Sequence, residues 1–246
     1  MSGHSKWATI KRKKGATDAA RGRLFTRLIK EITIAARSGG DPMGNPRLRL
    51  AVQTAKAANM PADNIKRAIQ RGTGELEGVH YEEVTYEAYG PGGVALMLEV
   101  VTDNKNRTVS EIRHLLSRNN GNLAETGSVG WKFNRRGVIV IPKKYNEDDL
   151  LMMIIDAGAD DLRTEEDQFE VTTMTESFEA VKKVLESNNI EIASSSLQMI
   201  PDSTLKVAGK EAEQVLKLME ALEEHDDIQN IYADFDIDAQ VMESIQ

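Results

Sequence analysis

Residues 203–237 read STLKVAGKEAEQVLKLMEALEEHDDIQNIYADFDI, a strand-helix-strand pattern. Val215, Leu216, Met219 and Leu222 line one face of the central helix, and the segments on either side alternate as half-buried strands do. One helix and two strands enclose too little apolar surface for a core of their own. The segment must therefore pack against something earlier. The block at 79–134 is also incomplete, with two strands, one helix and a third strand. HYEEVTYEAYG and GVALMLEVVT read as strands joined at Gly90-Pro91-Gly92-Gly93, and a helix opened by the capping box Thr108-Val109-Ser110-Glu111 runs to Asn120-Gly121. Joining 79–134 to 203–240 gives one discontinuous α+β domain and leaves 135–202 as an inserted unit. Around that insert, VGWKFN (129–134) and GVIVIP (137–142) read as two strands flanking Arg135-Arg136. Then follow a helix over DDLLMMIIDAG, a strand over QFEVTTM, a helix over SFEAVKKVLES and a strand over IEIASSSLQMI.

Upstream, residues 1–76 read as helical. Leu24, Phe25, Leu28, Ile32 and Ala35 recur at helical spacing, with Arg23, Arg27, Lys30 and Arg37 roughly opposite on the wheel. Thr17 or Asp18 can cap this helix and Gly39-Gly40 can end it. A second helix starts at Asn45-Pro46, an N-cap followed by proline at the first helical position. A third follows Pro61 and stops at Gly72, and GTGELEG (72–78) reads as a linker. Three helices with short connections make a small bundle. The fold class is therefore α+β multidomain: an N-terminal three-helix bundle followed by two α+β domains.

The 246 residues carry a formal net charge of -8, which conceals a division. Residues 1–74 hold 16 Lys and Arg against 4 Asp and Glu, or +12, so the remainder stands at −20. Such asymmetry points to a polyanion-binding region joined to a solubilising one. Within the basic part, Lys6, Lys11, Arg12, Lys13 and Lys14 precede a stripe of Arg21, Arg23, Arg27 and Lys30, with Trp7 among them. Clustered cations suit phosphate contacts. Trp7 reads first as a residue packed on the bundle and second as a stacking platform for a base. Asp103-Asn104-Lys105-Asn106-Arg107-Thr108 admits two readings equally: a capping turn, or a helix N-terminus whose Lys105 and Arg107 meet phosphate. After Pro61, the side chains of Asn64, Lys66, Arg67, Gln70 and Arg71 are of the types that read base edges.

Catalytic constellations are missing from the pattern. With no cysteine there is no thiolate ligand or nucleophile, and His4, His80, His114 and His225 lack partners at metal-ligand spacing. Neither a P-loop nor a G-x-S-x-G elbow occurs. The acidic run from Glu147 to Asp167 lacks the calcium-loop pattern and reads as a solvated face. We expect no enzyme, no metal, no cofactor and no small-molecule substrate. No apolar run reaches the roughly 18–20 residues of a membrane span, and no apolar stretch follows the basic start. Membrane partners are not expected, and the expected location is cytoplasmic.

The opening MSGHSKWATIKRKKGATDAARGRLFTRLIKEI closely resembles the signature of the YebC/PmpR family. NPRLRLAVQTAKAANMPADNIKRAI, YEAYGPGGVALMLEVVTDNKNRT and GNLAETGSVGWKF carry the resemblance almost end to end. It implies three domains, the third ferredoxin-like and inserted in the second. It also implies a cytoplasmic DNA-binding transcriptional regulator, with nucleic-acid contact on the basic arm and first helices, here Lys6 to Lys30. Some members, with mitochondrial relatives that activate translation of cytochrome oxidase subunits, resemble ribosome-associated translation factors. The resemblance thus leaves open DNA, or ribosomal RNA or tRNA on an elongating ribosome, as the partner. From the residues alone, a protein-interaction adaptor with an acidic protein partner is the competing class.

Overall fold

A computed structural model describes residues 18–165, 167–238 and 241 of the chain. Helices come first and two antiparallel sheets follow. The leading helices are α1 (Asp18–Ala35), extended by a short 3-10 turn at Ala36–Ser38, then α2 (Pro46–Ala57) and α3 (Ala62–Thr73). Asn45 sets the angle between the first two. Its side-chain oxygen accepts from the Leu48 N–H at 3.1 Å, capping α2, while its amide donates to the carbonyls of Ala35 (2.7 Å) and Gly39 (2.8 Å). Ile32, Leu48, Ala55 and Ala68 lie between the helices and are almost fully buried. Gly72 is where α3 crosses α1, since a Cβ there would stand 2.3 Å from the Thr33 carbonyl oxygen. The helix continues past it to Gly74, whose left-handed backbone (φ 85°) ends it.

The first sheet has the order β3-β1-β2-β9, built from β1 (Glu82–Tyr89), β2 (Ala95–Thr102), β3 (Asn122–Leu123) and β9 (Ile228–Ala233). Helix α4 (Lys105–Arg118) follows β2, and α7 (Gly209–Glu223) precedes β9. Both cover one face of this sheet around Leu96, Leu98, Ile112, Leu116, Met219 and Ile231. β9 runs antiparallel to β2 with Leu96 opposite Ala233, so the far end of the chain completes a sheet begun near its middle. Beside it, β8 (Leu205–Lys206) and β10 (Phe235–Asp236) form a short parallel pair.

Between β3 and β8 the chain forms a second sheet with its own core. It runs β4 (Phe133–Pro142), α5 (Glu147–Ile155), β5 (Ala159–Thr164), β6 (Gln168–Thr173), α6 (Phe178–Ser187) and β7 (Ser194–Pro201), with strand order β5-β6-β4-β7. Ile139, Ile141, Phe169 and Val171 point toward the two helices and meet Leu150, Ile154, Val181 and Leu185.

Three sequence expectations are corrected here. Arg135 and Arg136 do not divide two strands: β4 is continuous through them, with Met199 and Gln198 of β7 opposite. The acidic run contains a strand, β5, whose Asp160 and Asp161 are exposed at the sheet edge and pair with Arg136 and Arg163. Helix α4 opens at Lys105, capped by the Asn104 side chain accepting from the Arg107 N–H at 3.1 Å. Thr108 is thereby freed from capping. It is buried, with its hydroxyl 2.7 Å from that of Thr102.

Candidate nucleic-acid interface

The described part of the basic region divides into two faces. Lys6, Trp7, Lys11, Arg12, Lys13 and Lys14 lie outside the described residues. Arg21, at the start of α1, is exposed. Further along, the expected cationic stripe is corrected, because it turns inward onto another part of the chain. Lys30 is only 6% exposed. Its ammonium donates three hydrogen bonds: to Asp227 Oδ1 (2.6 Å), to the Asp226 carbonyl (2.9 Å) and to the Val101 carbonyl (3.2 Å). One turn earlier, Arg27 donates to the carbonyl of Glu223, and Arg23 stands 3.9 Å from the Glu224 carboxylate. A helical wheel gives the direction of a stripe but not what lies opposite it. Here the opposing surface is the C-terminal end of α7, where unpaired carbonyls and the helix dipole favour cations.

Asp227 is the hub of this contact. Its second oxygen accepts from the Thr108 hydroxyl at 2.6 Å and from Arg107 at 2.9 Å. Burial alone would raise its pKa, but the bonds from Lys30, Thr108 and Arg107 outweigh burial and hold the carboxyl well below the usual range. Burial pulls the Arg27 guanidinium down, against the attraction of Glu223. Glu111, His225 and Asp227 converge closely enough to hold a metal ion. Asp227, however, already carries two cations, and the His225 Nδ1 accepts from the Asp227 N–H at 3.1 Å. That bond leaves the imidazole proton on Nε2, facing Glu111 at 3.1 Å. The three residues serve the ion network and offer no open ligand set.

The turn at 103–108 sends its cations to carboxylates. Lys105 pairs with Glu82, and Arg107 bridges Asp103 (2.9 Å) and Asp227. Arg107 is half exposed, and its bonds to Asp227 and Asp103 raise its pKa. The capping reading accounts for Asn104, while both cations are already neutralised.

The other face of the helical unit is open. Lys56 on α2 and Lys66, Arg67 and Arg71 on α3 are exposed, and none forms a salt bridge among the described residues. Arg67 also donates to the Asn64 side chain at 2.7 Å. Lys66, Arg67 and Arg71 belong to the α3 set legible in the sequence, and Lys56 does not.

Trp131 was not legible as a surface residue. It is 72% exposed on a 3-10 turn at Gly130–Lys132, its indole N–H donating to the Ser128 carbonyl at 3.1 Å. The Lys132 ammonium lies 5.9 Å from the ring centroid and also binds buried Asp234 at 3.0 Å. Glu87 fixes the turn by accepting from the N–H groups of Gly127 (2.7 Å), Val129 (2.6 Å) and Gly130 (2.9 Å). Burial opposes the charge on Glu87, yet these bonds keep its pKa below the ordinary carboxylate value. Gly127 and Gly130 beside Trp131 were the available signal, since glycines at that spacing mark a turn rather than a strand.

Residues 5–75 match the profile described as "TACO1/YebC protein N-terminal domain", and residues 81–235 match "TACO1/YebC second and third domain". The chain belongs to the TACO1/YebC family. A family relative from Solibacter usitatus is 58% identical over 246 residues, covering 100% of this chain and 99% of its own length. Another from Chlorobaculum parvum is 55% identical with the same coverage, and one from Geobacter sulfurreducens is 54% identical over the full length of both. All three are named as probable transcriptional regulatory proteins. The crystal structure of the conserved hypothetical protein Aq1575 from Aquifex aeolicus superposes with a TM-score of 0.82 at 46% identity, covering 90% of this chain and 92% of its own. The mixed α+β architecture, helices first and sheets after, is thus shared within the TACO1/YebC family.

Proposed function

We propose that this protein is a non-enzymatic, cytoplasmic transcriptional regulator that binds DNA through its helical unit. The observation that carries the reading is the set of exposed cations on α2 and α3, Lys56, Lys66, Arg67 and Arg71, which form no salt bridge among the described residues, in a segment (residues 1–74) of charge +12 joined to a remainder of −20. Cations without internal partners are those free to neutralise phosphate, while the acidic remainder is repelled by it. Relatives named as transcriptional regulators support the same reading. In this account the chain divides into a helical domain at 1–76, a discontinuous α+β domain at 79–134 and 203–240, and an inserted ferredoxin-like domain at 135–202. Lys6, Lys11, Arg12, Lys13, Lys14 and Arg21 join the α3 cations on phosphate.

A second reading, a ribosome-associated translation factor, is favoured by one feature. Trp131 is an exposed, rigidly held indole of the kind on which an unpaired RNA base stacks. Competition near physiological salt separates the two. Labelled protein is offered ribosomes together with excess random-sequence duplex DNA, beside a variant with Lys11, Arg12, Lys13 and Lys14 changed to Glu. Transfer of the native protein to DNA, lost in the variant, is the expected result. Retention on ribosomes despite the DNA would overturn the DNA reading and establish the RNA one.

A further inference from the structure

We infer that the segment Glu223–Asp227 is an intramolecular stand-in for phosphate, which occupies the inner cations of α1 until a polyanion displaces it. The inference rests on the nucleic-acid-binding reading and concerns how that binding is regulated. Arg23, Arg27 and Lys30 follow one side of α1 at helical spacing, and each meets an anionic or carbonyl oxygen of this segment. A sugar-phosphate strand offers the same cations the same kind of acceptor. With Lys30 buried, the two partners exclude each other, so docking and nucleic-acid binding through α1 are competing states.

The way the helical unit is held fits such an exchange. Its apolar cluster is confined to residues between Phe25 and Ile69, and no residue of the helical unit enters the apolar clusters of the two sheets. Among the described residues, its further links to the rest of the chain include Arg47 to Glu83, Lys182 on α6 donating to Gln53 at 3.1 Å, and the Lys30 ammonium 5.7 Å from the Tyr81 ring. Exposed pairs of this kind weaken with salt and are open to competition. Arg27 is incompletely satisfied in the docked state, its Nε buried with no hydrogen-bond partner among the described residues. Release onto a phosphate allows the bidentate bonding that the guanidinium lacks here.

The absence of cysteine makes the test clean. In the full chain, Arg23→Cys with Glu224→Cys is joined by a short bismaleimide, locking α1 on α7. Binding of a fluorescein-labelled 20-base-pair duplex is then compared with the same variant left unlinked, across a salt series. Since each phosphate contact contributes about 0.9 to the slope of log affinity against log salt, the lock should lower the slope by about 2, for Arg27 and Lys30, and weaken affinity about tenfold. Asp227→Asn, which loosens the dock, should strengthen binding about threefold relative to native. Equal affinity and slope with and without the link would overturn the stand-in while leaving the nucleic-acid reading intact. Failure of both forms to bind would overturn the two together. The linked comparison decides the matter even if Asp227→Asn does not fold.

Discussion

At Lys30 one ammonium group spends all three donors on two segments distant in sequence, Val101 at the end of β2 and Asp226-Asp227 before β9. A charge this deeply buried persists only when paired, and removing its partner leaves an uncompensated ion at a cost of about 3–5 kcal/mol. Asp227→Asn should lower the urea midpoint at pH 7, and by less than that cost, because opening of the dock returns Lys30 to water. The pH dependence has a definite sign. The folded carboxyl titrates below its ordinary value of about 3.9, so the native state binds fewer protons and the stabilisation is complete above that value. It drains away as pH falls toward the folded pKa, so the gap between native protein and variant should narrow on acidification from pH 5 to pH 2. A gap constant across that range would show that the pairing is not what stabilises the contact. The periodicity of α1 marked Lys30 as lying away from the apolar face, and it does. What it met there depended on a turn almost two hundred residues later, which no local pattern encodes.

Elements that were legible owe it to strong local chemistry. Asn45-Pro46 predicts a capped helix start because the cap hydrogen bond and the proline φ act within four residues, and α2 begins there. β5 escaped notice because an edge strand needs neighbours on one side only. Its exposed acids keep it from pairing with other chains, and they also erase the apolar alternation that reveals a strand. Arg135-Arg136 reads as a turn because two adjacent charges break the apolar alternation, and they fall on the part of β4 that pairs with β7 alone, before β6 joins at Gly137. Gly137, next along, is the position that lets α6 close on this sheet. An added Cβ would stand 2.4 Å from both the Phe178 ring and the Thr173 hydroxyl. Gly137→Ala should therefore destabilise the protein by about 1–3 kcal/mol through overpacking, read from urea unfolding. An unchanged midpoint would mean that Phe178 swings aside without loss.

For the whole molecule, the pattern of incomplete blocks carried most of the information. A terminal strand-helix-strand that cannot bury itself must pack against something earlier, and in the structure its strand β9 pairs with β2 and closes the first sheet. The charge division marks residues 1–74 as the basic end, but not that three of the four cations of the α1 stripe, Arg23, Arg27 and Lys30, turn inward. That correction leaves the proposed phosphate contacts to the exposed cations of α2 and α3 and to the basic arm, which lies outside the described residues. The central claim is that these cations grip phosphate, and its most direct test is a salt series on a labelled duplex. Native protein is compared with a variant carrying Lys66→Gln, Arg67→Gln and Arg71→Gln, all at exposed positions with no salt bridge among the described residues, so folding should be unaffected. The account predicts salt-sensitive binding whose slope falls by about 2 to 3 in the variant. Binding that ignores salt, or a slope that the three substitutions leave unchanged, would contradict it.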